Sequence, residues 1–448
     1  MMWRLALRTV RARPVSYLAP AGVLLAGTAL LTALATLAET GLAGTGDGTE
    51  SLAILAAIMG GWTMAIVVYG VVSTIALVIR QRERELALLR SIGTTAAQIR
   101  TTVLAETTTV ALPAVLAGVL PGIALGSFLL DRMGAVGVVS GPIELVAGWR
   151  PLTAGAAVAL LSAVAAALLA GRRAGKVAPV LALAEAADAP VSAAVLSRPA
   201  RYAGLGFVLL GVGSGIGTLF MANGPLLAAA AGPACIAVAI GLALLSPAVV
   251  ALAARAAPGA PGAVGRLALR NLGARAARSG SIVGPLALLV GIAAGTLYMQ
   301  STEDSTAGTG GAAAEEVAPQ FAAANYLVVA MIITFSTIAV TNTLVAATWH
   351  RRREFGLLRL TASTRRQVLR MVTVESALSA GIAIVLGTVA AAATTIPFSI
   401  VKTGSALPAG PLWMYLAIVA GSGAVAVVTT FTTTLRATET RPIAALAA

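Results

Sequence analysis

The chain has 448 residues, 58% of them hydrophobic and 11% charged, against roughly 25% charged in an ordinary soluble domain. With a mean hydropathy of +0.92, this composition excludes a soluble globular protein and predicts an all-α polytopic membrane protein. The net charge of +14 would suit a nucleic-acid binder, but the placement of the basic residues described below excludes that too.

Before the first apolar segment, Arg4, Arg8 and Arg11 share one helical face and Trp3, Leu7 and Val10 another, as in a helix lying in the membrane interface. Apolar segments of about 20 residues, the length that crosses a bilayer, follow near 17–37, 53–79, 107–130, 152–171, 203–221, 225–252, 281–300, 325–349, 374–397 and 411–431. Ten transmembrane helices are expected. The first is read as a retained span, since no small-residue cleavage site precedes the second. With the N-terminus in the cytoplasm, only Arg132, Arg150 and Lys402 fall outside, leaving 28 of the 31 basic residues inside. Glu39, Asp47, Glu50, Glu303, Asp304, Glu315 and Glu316 collect on the opposite side. Both termini are therefore expected in the cytoplasm, and the inner charge suits anionic headgroups rather than nucleic acid.

Of the 31 cations 29 are Arg, which reads as the mark of a high-GC bacterial genome and hence of a bacterial plasma membrane. One cysteine, Cys235, and one histidine, His350 within a basic flank, make neither a disulfide nor a Cys/His metal cluster. No metal, cofactor or catalytic residue is expected in the chain.

The chain is internally duplicated. Arg84-Glu85-Leu86-Ala87-Leu88-Leu89-Arg90 recurs as Arg353-Glu354-Phe355-Gly356-Leu357-Leu358-Arg359, and the offset of 269 continues through Thr95/Thr364, Gln98/Gln367, Ile99/Val368 and Glu106/Glu375. Arg4 to Arg8 resembles Arg266 to Arg270 at offset 262, and Arg173 to Leu183 resembles Arg436 to Leu446 at offset 263. The spans group as 4+2+4, so both four-helix repeats enter the membrane in the same direction and should be related by an axis along the membrane normal. The expected modules are 1–185, with the interfacial helix, and 263–448, separated by a two-helix insert with linkers over 186–262. The second interfacial helix, with Arg266, Arg270, Leu267 and Leu272, should be interrupted at Gly273. Gly118, Gly122 and Gly126, and Gly211, Gly213, Gly215 and Gly217, are spaced for close helix packing.

Each copy of the motif predicts a stalk. Gln81 to Ile92 holds no Gly or Pro, so the second span should continue as helix beyond the membrane. Gly93 suits the helix end, and Thr95-Ala96-Ala97-Gln98 forms a capping box that starts the next helix. The second copy repeats the box as Thr364-Arg365-Arg366-Gln367, with Ala362 in place of the glycine and Ser363 as an alternative cap. Glu106 and Glu375 lie a few residues inside the inner ends of their spans, where an inner-face Arg would pair with them.

The run Arg-Glu-apolar-small-Leu-Leu-Arg, the Thr-to-Gln helix start and the Glu at the head of the next span resemble the signature of FtsX-like permeases, the MacB-type ABC transporter subunits. The ten-helix plan is similar to that of Bce-type permeases. The resemblance implies a permease driven by two copies of a separate ABC ATPase, which would hold the ATP and magnesium. It implies ATPase-coupling roles for Arg84, Glu85, Leu89, Arg90, Gly93, Thr95 and Gln98, and for Arg353, Glu354, Leu358, Arg359, Thr364 and Gln367. The chain's own Gly171 to Val177 is no phosphate loop: it has three residues between its glycines and lacks the Ser/Thr that would hold magnesium. Relatives carry large extracytoplasmic domains where this chain has only about Ala38 to Ser51 and Ser301 to Ala324. The expected substrate is amphiphilic or hydrophobic and enters from the bilayer. A mechanotransmitting scaffold, an ion-coupled secondary transporter and an unidentified extracellular partner stay open at this point.

Overall fold

The computed structural model describes residues 8–11, 14–45, 48–91, 93–139, 143–174, 196, 198–256, 262–306, 312–361 and 363–439. The pairing of Arg173 to Leu183 with Arg436 to Leu446, most of the linker 172–201, Trp3, Arg4, Leu7 and Ala362 lie wholly or partly outside those residues. Of the first interfacial segment, 8–11 is helical.

Among the described residues the structure is helical, in the order α1 (Pro14–Ala43), α2 (Thr49–Gln81), α3 (Glu83–Ser91), α4 (Ala96–Val136), α5 (Trp149–Ala174), α6 (Arg198–Thr218), α7 (Pro225–Ala256), α8 (Gly262–Ala274), α9 (Ala276–Thr306), α10 (Ala312–Trp349), α11 (Arg352–Leu360), α12 (Arg365–Thr403) and α13 (Leu412–Ala437). Ten of them are long and apolar enough to cross a membrane, matching the ten predicted spans. A helix is the economical solution there, because a bilayer offers no water to satisfy backbone groups and a helix bonds its own. Only residues 44–48 separate α1 from α2, and only 307–311 separate α9 from α10, so neither connection is long enough for a domain with its own core.

Contacts divide the chain into two compact units, Met1–Ala189 with Met299–Ala339 and Pro190–Tyr298 with Val340–Ala448. In the first unit α1 is the centre, packed on α2, α4 and α5. Its Thr28, Thr32 and Thr36 are fully buried and recur every four residues, along one stripe of the helix. The glycines of α4 meet that stripe: a Cβ on Gly118 would come 2.6 Å from the Leu25 carbonyl, one on Gly122 2.7 Å from Thr32 Cβ, and one on Gly126 2.6 Å from Thr36 Oγ1. Phe335 of α10 fills the same unit against Gly27 and Gly70.

In the second unit α7 packs on α6, α8 and α12. Gly211 lies against Ala234 and Val238 of α7, and Gly215 against the Ala393 carbonyl of α12. Gly213 and Gly217 meet nothing within 4 Å, so only two of the four glycines predicted to pack do so, those one helical turn apart. Gly280 lies against Pro247 and Gly291 against Ala390 and Gly387, which seats α9 on α7 and α12.

Two expectations about helix ends need correction. The interfacial helix α8 runs through Gly273 to Ala274 and breaks at Arg275. Gly273 is retained within it because a Cβ there would sit 3.0 Å from Ala254 Cβ. The stalk is not a continuation of the second span either: α2 stops at Gln81 and α3 starts at Glu83, and in the second copy α10 stops at Trp349 and α11 starts at Arg352. The physical reason is the side chain at each break.

Candidate functional site: a duplicated arginine–glutamate clamp

At the first break Arg82 has φ −104° and ψ 5°, and its N–H turns to the Ile79 carbonyl at 3.0 Å. Its own carbonyl accepts from Leu86 N–H at 3.0 Å and so opens α3. This geometry draws the guanidinium toward Glu106 of α4, where Nη1 meets Oε2 and Nη2 lies 3.3 Å from Oε1. Nη1 also donates to the Tyr17 hydroxyl at 2.8 Å, Tyr17 donates to Glu106 at 3.1 Å, and Arg82 Nε lies 3.3 Å from Glu85. Glu106 is buried. A carboxylate unpaired at such a position would be costly, and a shared set of charge-assisted bonds offsets that cost.

The second break repeats the arrangement at offset 269. Arg351 N–H bonds the Thr348 carbonyl at 3.0 Å, and its carbonyl accepts from Phe355 at 3.1 Å. Its Nη1 and Nη2 hold the two oxygens of Glu375 at 3.0 Å each, while Nε reaches Glu354 at 3.2 Å. Glu354 also accepts from Arg278 Nη1 at 2.6 Å and from Arg275 Nη1. Three guanidiniums therefore surround one stalk carboxylate. Arg351 further covers the Phe355 ring, 5.4 Å from its centroid.

Beyond each clamp the stalk ends as its sequence dictates. Gly93 takes φ +101°, a conformation glycine adopts without a Cβ penalty. Gly93 N–H bonds Arg90 at 3.0 Å and Thr94 N–H bonds Leu89 at 3.2 Å, the paired closure of a Schellman end. The Ser363 N–H makes the matching bond to Leu358 at 3.0 Å. Both capping boxes are present: Thr95 accepts from Gln98 N–H and Thr364 from Gln367 N–H, with each Gln side chain reaching back. Thr364, not Ser363, is the cap.

The remaining site residues separate by exposure. Leu88 and Leu89 of α3 are exposed, as are Leu357 and Leu360 of α11, whereas Leu86 and Phe355 are buried. Thr95, Gln98, Thr364, Gln367 and Arg353 are exposed and Leu358 is partly covered. Leu358 borders a small core of Phe355, Val368, Met371, Val372 and Ala437. Arg359 donates to the Thr438 carbonyl at 2.9 Å, tying the second stalk to the end of α13. Arg90 is half-buried, and Arg84 lies on α3 with its side chain outside the described residues. Sequence reasoning missed Arg82, Arg351, Tyr17, Arg275 and Arg278. The signal available for the first two was the offset itself, since Arg82 and Arg351 stand 269 apart like the glutamates they hold.

Among the described residues, ten helices able to cross a membrane, carrying a repeated and clamped short helix, define a polytopic membrane protein. The family FtsX-like permease C-terminal matches residues 57–179 and 326–442, which together make more than half of the chain. The protein belongs to the FtsX-like permease family, and so is a permease subunit of an ABC transporter that associates with an ABC ATPase. Such subunits are in general non-catalytic membrane components. The two matched regions begin 269 residues apart, at 57 and 326, the offset of the clamps. No curated individual protein matches the chain.

Proposed function

We propose that this permease exports or extracts an amphiphilic or hydrophobic substrate from the bacterial plasma membrane, driven by two copies of a cytoplasmic ATPase that hold the ATP and magnesium. The observation that carries the reading is the pair of stalks: Leu88, Leu89, Leu357 and Leu360 are exposed on short helices beyond the spans, beside the exposed Thr95, Gln98, Thr364 and Gln367. Apolar side chains held by a rigid scaffold outside the bilayer suit a protein partner. In this reading the modules are 1–185 and 263–448 with the insert 186–262 between them. The ATPase grips Arg84, Leu89, Arg90, Gly93 and Gln98, with Arg353, Leu358, Arg359 and Gln367. Glu85 and Glu354 act through the clamps as positioning residues.

Both termini and both stalks lie in the cytoplasm, supported by the clustering of Arg at that end of the helices. The outer connections at 44–48 and 307–311 offer no domain to capture a soluble ligand. Glu106 and Glu375 are already engaged by Arg82 and Arg351, which leaves them no free charge to receive an ionic solute and favours an amphiphile entering from the lipid.

The test is co-purification. Leu88→Asp and Leu89→Asp combined with Leu357→Asp should leave membrane insertion and folding intact while the ATPase no longer co-purifies. Undiminished ATPase binding and ATP hydrolysis by that variant would overturn the coupling assignment. With permease and ATPase in proteoliposomes, amphiphiles should stimulate hydrolysis; stimulation by water-soluble charged compounds alone would overturn the substrate class.

A further inference from the structure

The duplication sets Tyr17 opposite Ser279 and Pro20 opposite Ile282, because Arg4 to Arg8 aligns with Arg266 to Arg270 at offset 262. In the first module Tyr17 lies over the Arg82–Glu106 pair, and the hollow beside it is lined by Val78, Ile79 and Val110. At the equivalent positions of the second module stand Ala347, Thr348 and Ser379, lining a hollow shared with Ser279, Arg275 and Arg278. Arg278 stands where the first module has Ser16. Thr107 and Ser376 keep a hydroxyl in both copies, but at three further positions the first copy is apolar under a phenol where the second carries Ala347, Thr348 and Ser379 beside two added guanidiniums.

Charge and unused donors point to an anion. Arg275, Arg278 and Arg351 face Glu354 and Glu375, an excess of one positive charge. Arg275 and Arg278 each give Nη1 to Glu354, which leaves Nε and Nη2 of both without a hydrogen bond among the described residues. Their side chains are 42% and 44% exposed, so these edges can be reached from outside. Two neighbouring guanidiniums with open edges match the oxygens of a phosphate. The site lies where amphipathic α8 meets a membrane span, with Arg266, Leu267 and Arg270 of α8 exposed. That is the depth of lipid headgroups.

We propose that the second module, and not the first, binds the phosphate of an anionic lipid through Arg275, Arg278 and Ser279. Glu354 belongs to stalk α11 and shares both arginines, so a seated headgroup changes the charge that holds that stalk. Lipid occupancy is thereby linked to the stalk of one module only.

The purified full-length permease is tested with phosphatidylglycerol, phosphatidylcholine and inorganic phosphate as probes, read by native mass spectrometry of retained lipid and by thermal unfolding. Wild type should retain phosphatidylglycerol over phosphatidylcholine by about tenfold, the scale of one or two charge-assisted bonds, and unfold at higher temperature with it. Ser279→Tyr rebuilds the phenol of the first module without removing a charge and should abolish the preference. Arg275→Gln with Arg278→Gln should do the same, and Tyr17→Phe should leave it unchanged. Should the double arginine variant fail to fold, Ser279→Tyr decides alone. Equal phosphatidylglycerol retention by wild type and Ser279→Tyr would overturn the proposal. So would stabilisation by inorganic phosphate that equals that by phosphatidylglycerol, which would make this a free-phosphate site.

Discussion

Arg351 and Glu375, 24 residues apart in sequence, are joined by two parallel N–H···O bonds of 3.0 Å each. Arg82 and Glu106 have the same separation and the same partnership in the first copy. In each case the arginine is the residue at which one helix stops and the next begins.

Breaking one side of a buried pair leaves the other charge stranded. Arg351→Leu should therefore destabilise the second module by about 3–5 kcal/mol, read as a lowered unfolding temperature in detergent. Arg351→Leu combined with Glu375→Leu should cost less than the single change. A double variant no more stable than the single one would show that the pair is not the source of the effect.

The glycines of one helix should respond in opposite ways. Gly211→Ala places a Cβ 2.6 Å from Val238 Cγ2 and 2.7 Å from the Ala234 carbonyl, and should lower thermal stability by forcing α6 from α7. Gly213→Ala meets nothing within 4 Å and should be neutral or stabilise by up to about 1 kcal/mol through helix propensity. Thermal unfolding of the two variants in parallel checks the contrast.

Gly93→Ala meets no atom within 4 Å but must hold φ at +101°, which costs an L-residue roughly 1–2 kcal/mol. The expected outcome is local: faster hydrogen exchange at the amides of position 93, Thr94 and Gln98, with little change in the core of α2 and α4.

Orientation is tested by labelling. Cys235 is buried, so introduced cysteines stand out against a silent background. A membrane-impermeant maleimide applied to intact cells should label Ala406→Cys, in the exposed turn after α12, and should label Ser91→Cys, at the end of α3, only after lysis. The reverse pattern would invert the assignment of the cytoplasmic side.

What was legible in the sequence was whatever a few neighbouring residues decide. The ten spans follow from length and hydropathy, the capping boxes from Thr and Gln three residues apart, and the left-handed Gly93 from its place after a run of helix formers. The breaks at Arg82 and Arg351 were not legible, because no glycine or proline stands within four residues of either. They arise from carboxylates 24 residues downstream, and a distant partner overrides local propensity. The α6 glycines show the same limit: their spacing announced a packing surface, but which of Gly211, Gly213, Gly215 and Gly217 faces a neighbour depends on where α7 and α12 lie. Glu354 is legible as part of the repeated motif, but its partners Arg275 and Arg278 stand 79 and 76 residues upstream, beyond the reach of any local pattern.

The ion pair at each break has a mechanical meaning. Stalk, turn and the first turns of the next helix make a closed ring of chain, pinned at its base where Arg82 meets Glu106 and Arg351 meets Glu375. A nine-residue stalk is a lever of about 13 Å, and the pin is its fulcrum. Because the ring is shut, a push on the tip cannot be absorbed by splaying of the two strands of chain that lead back to the membrane. It arrives at two spans together, as a torque about one buried contact.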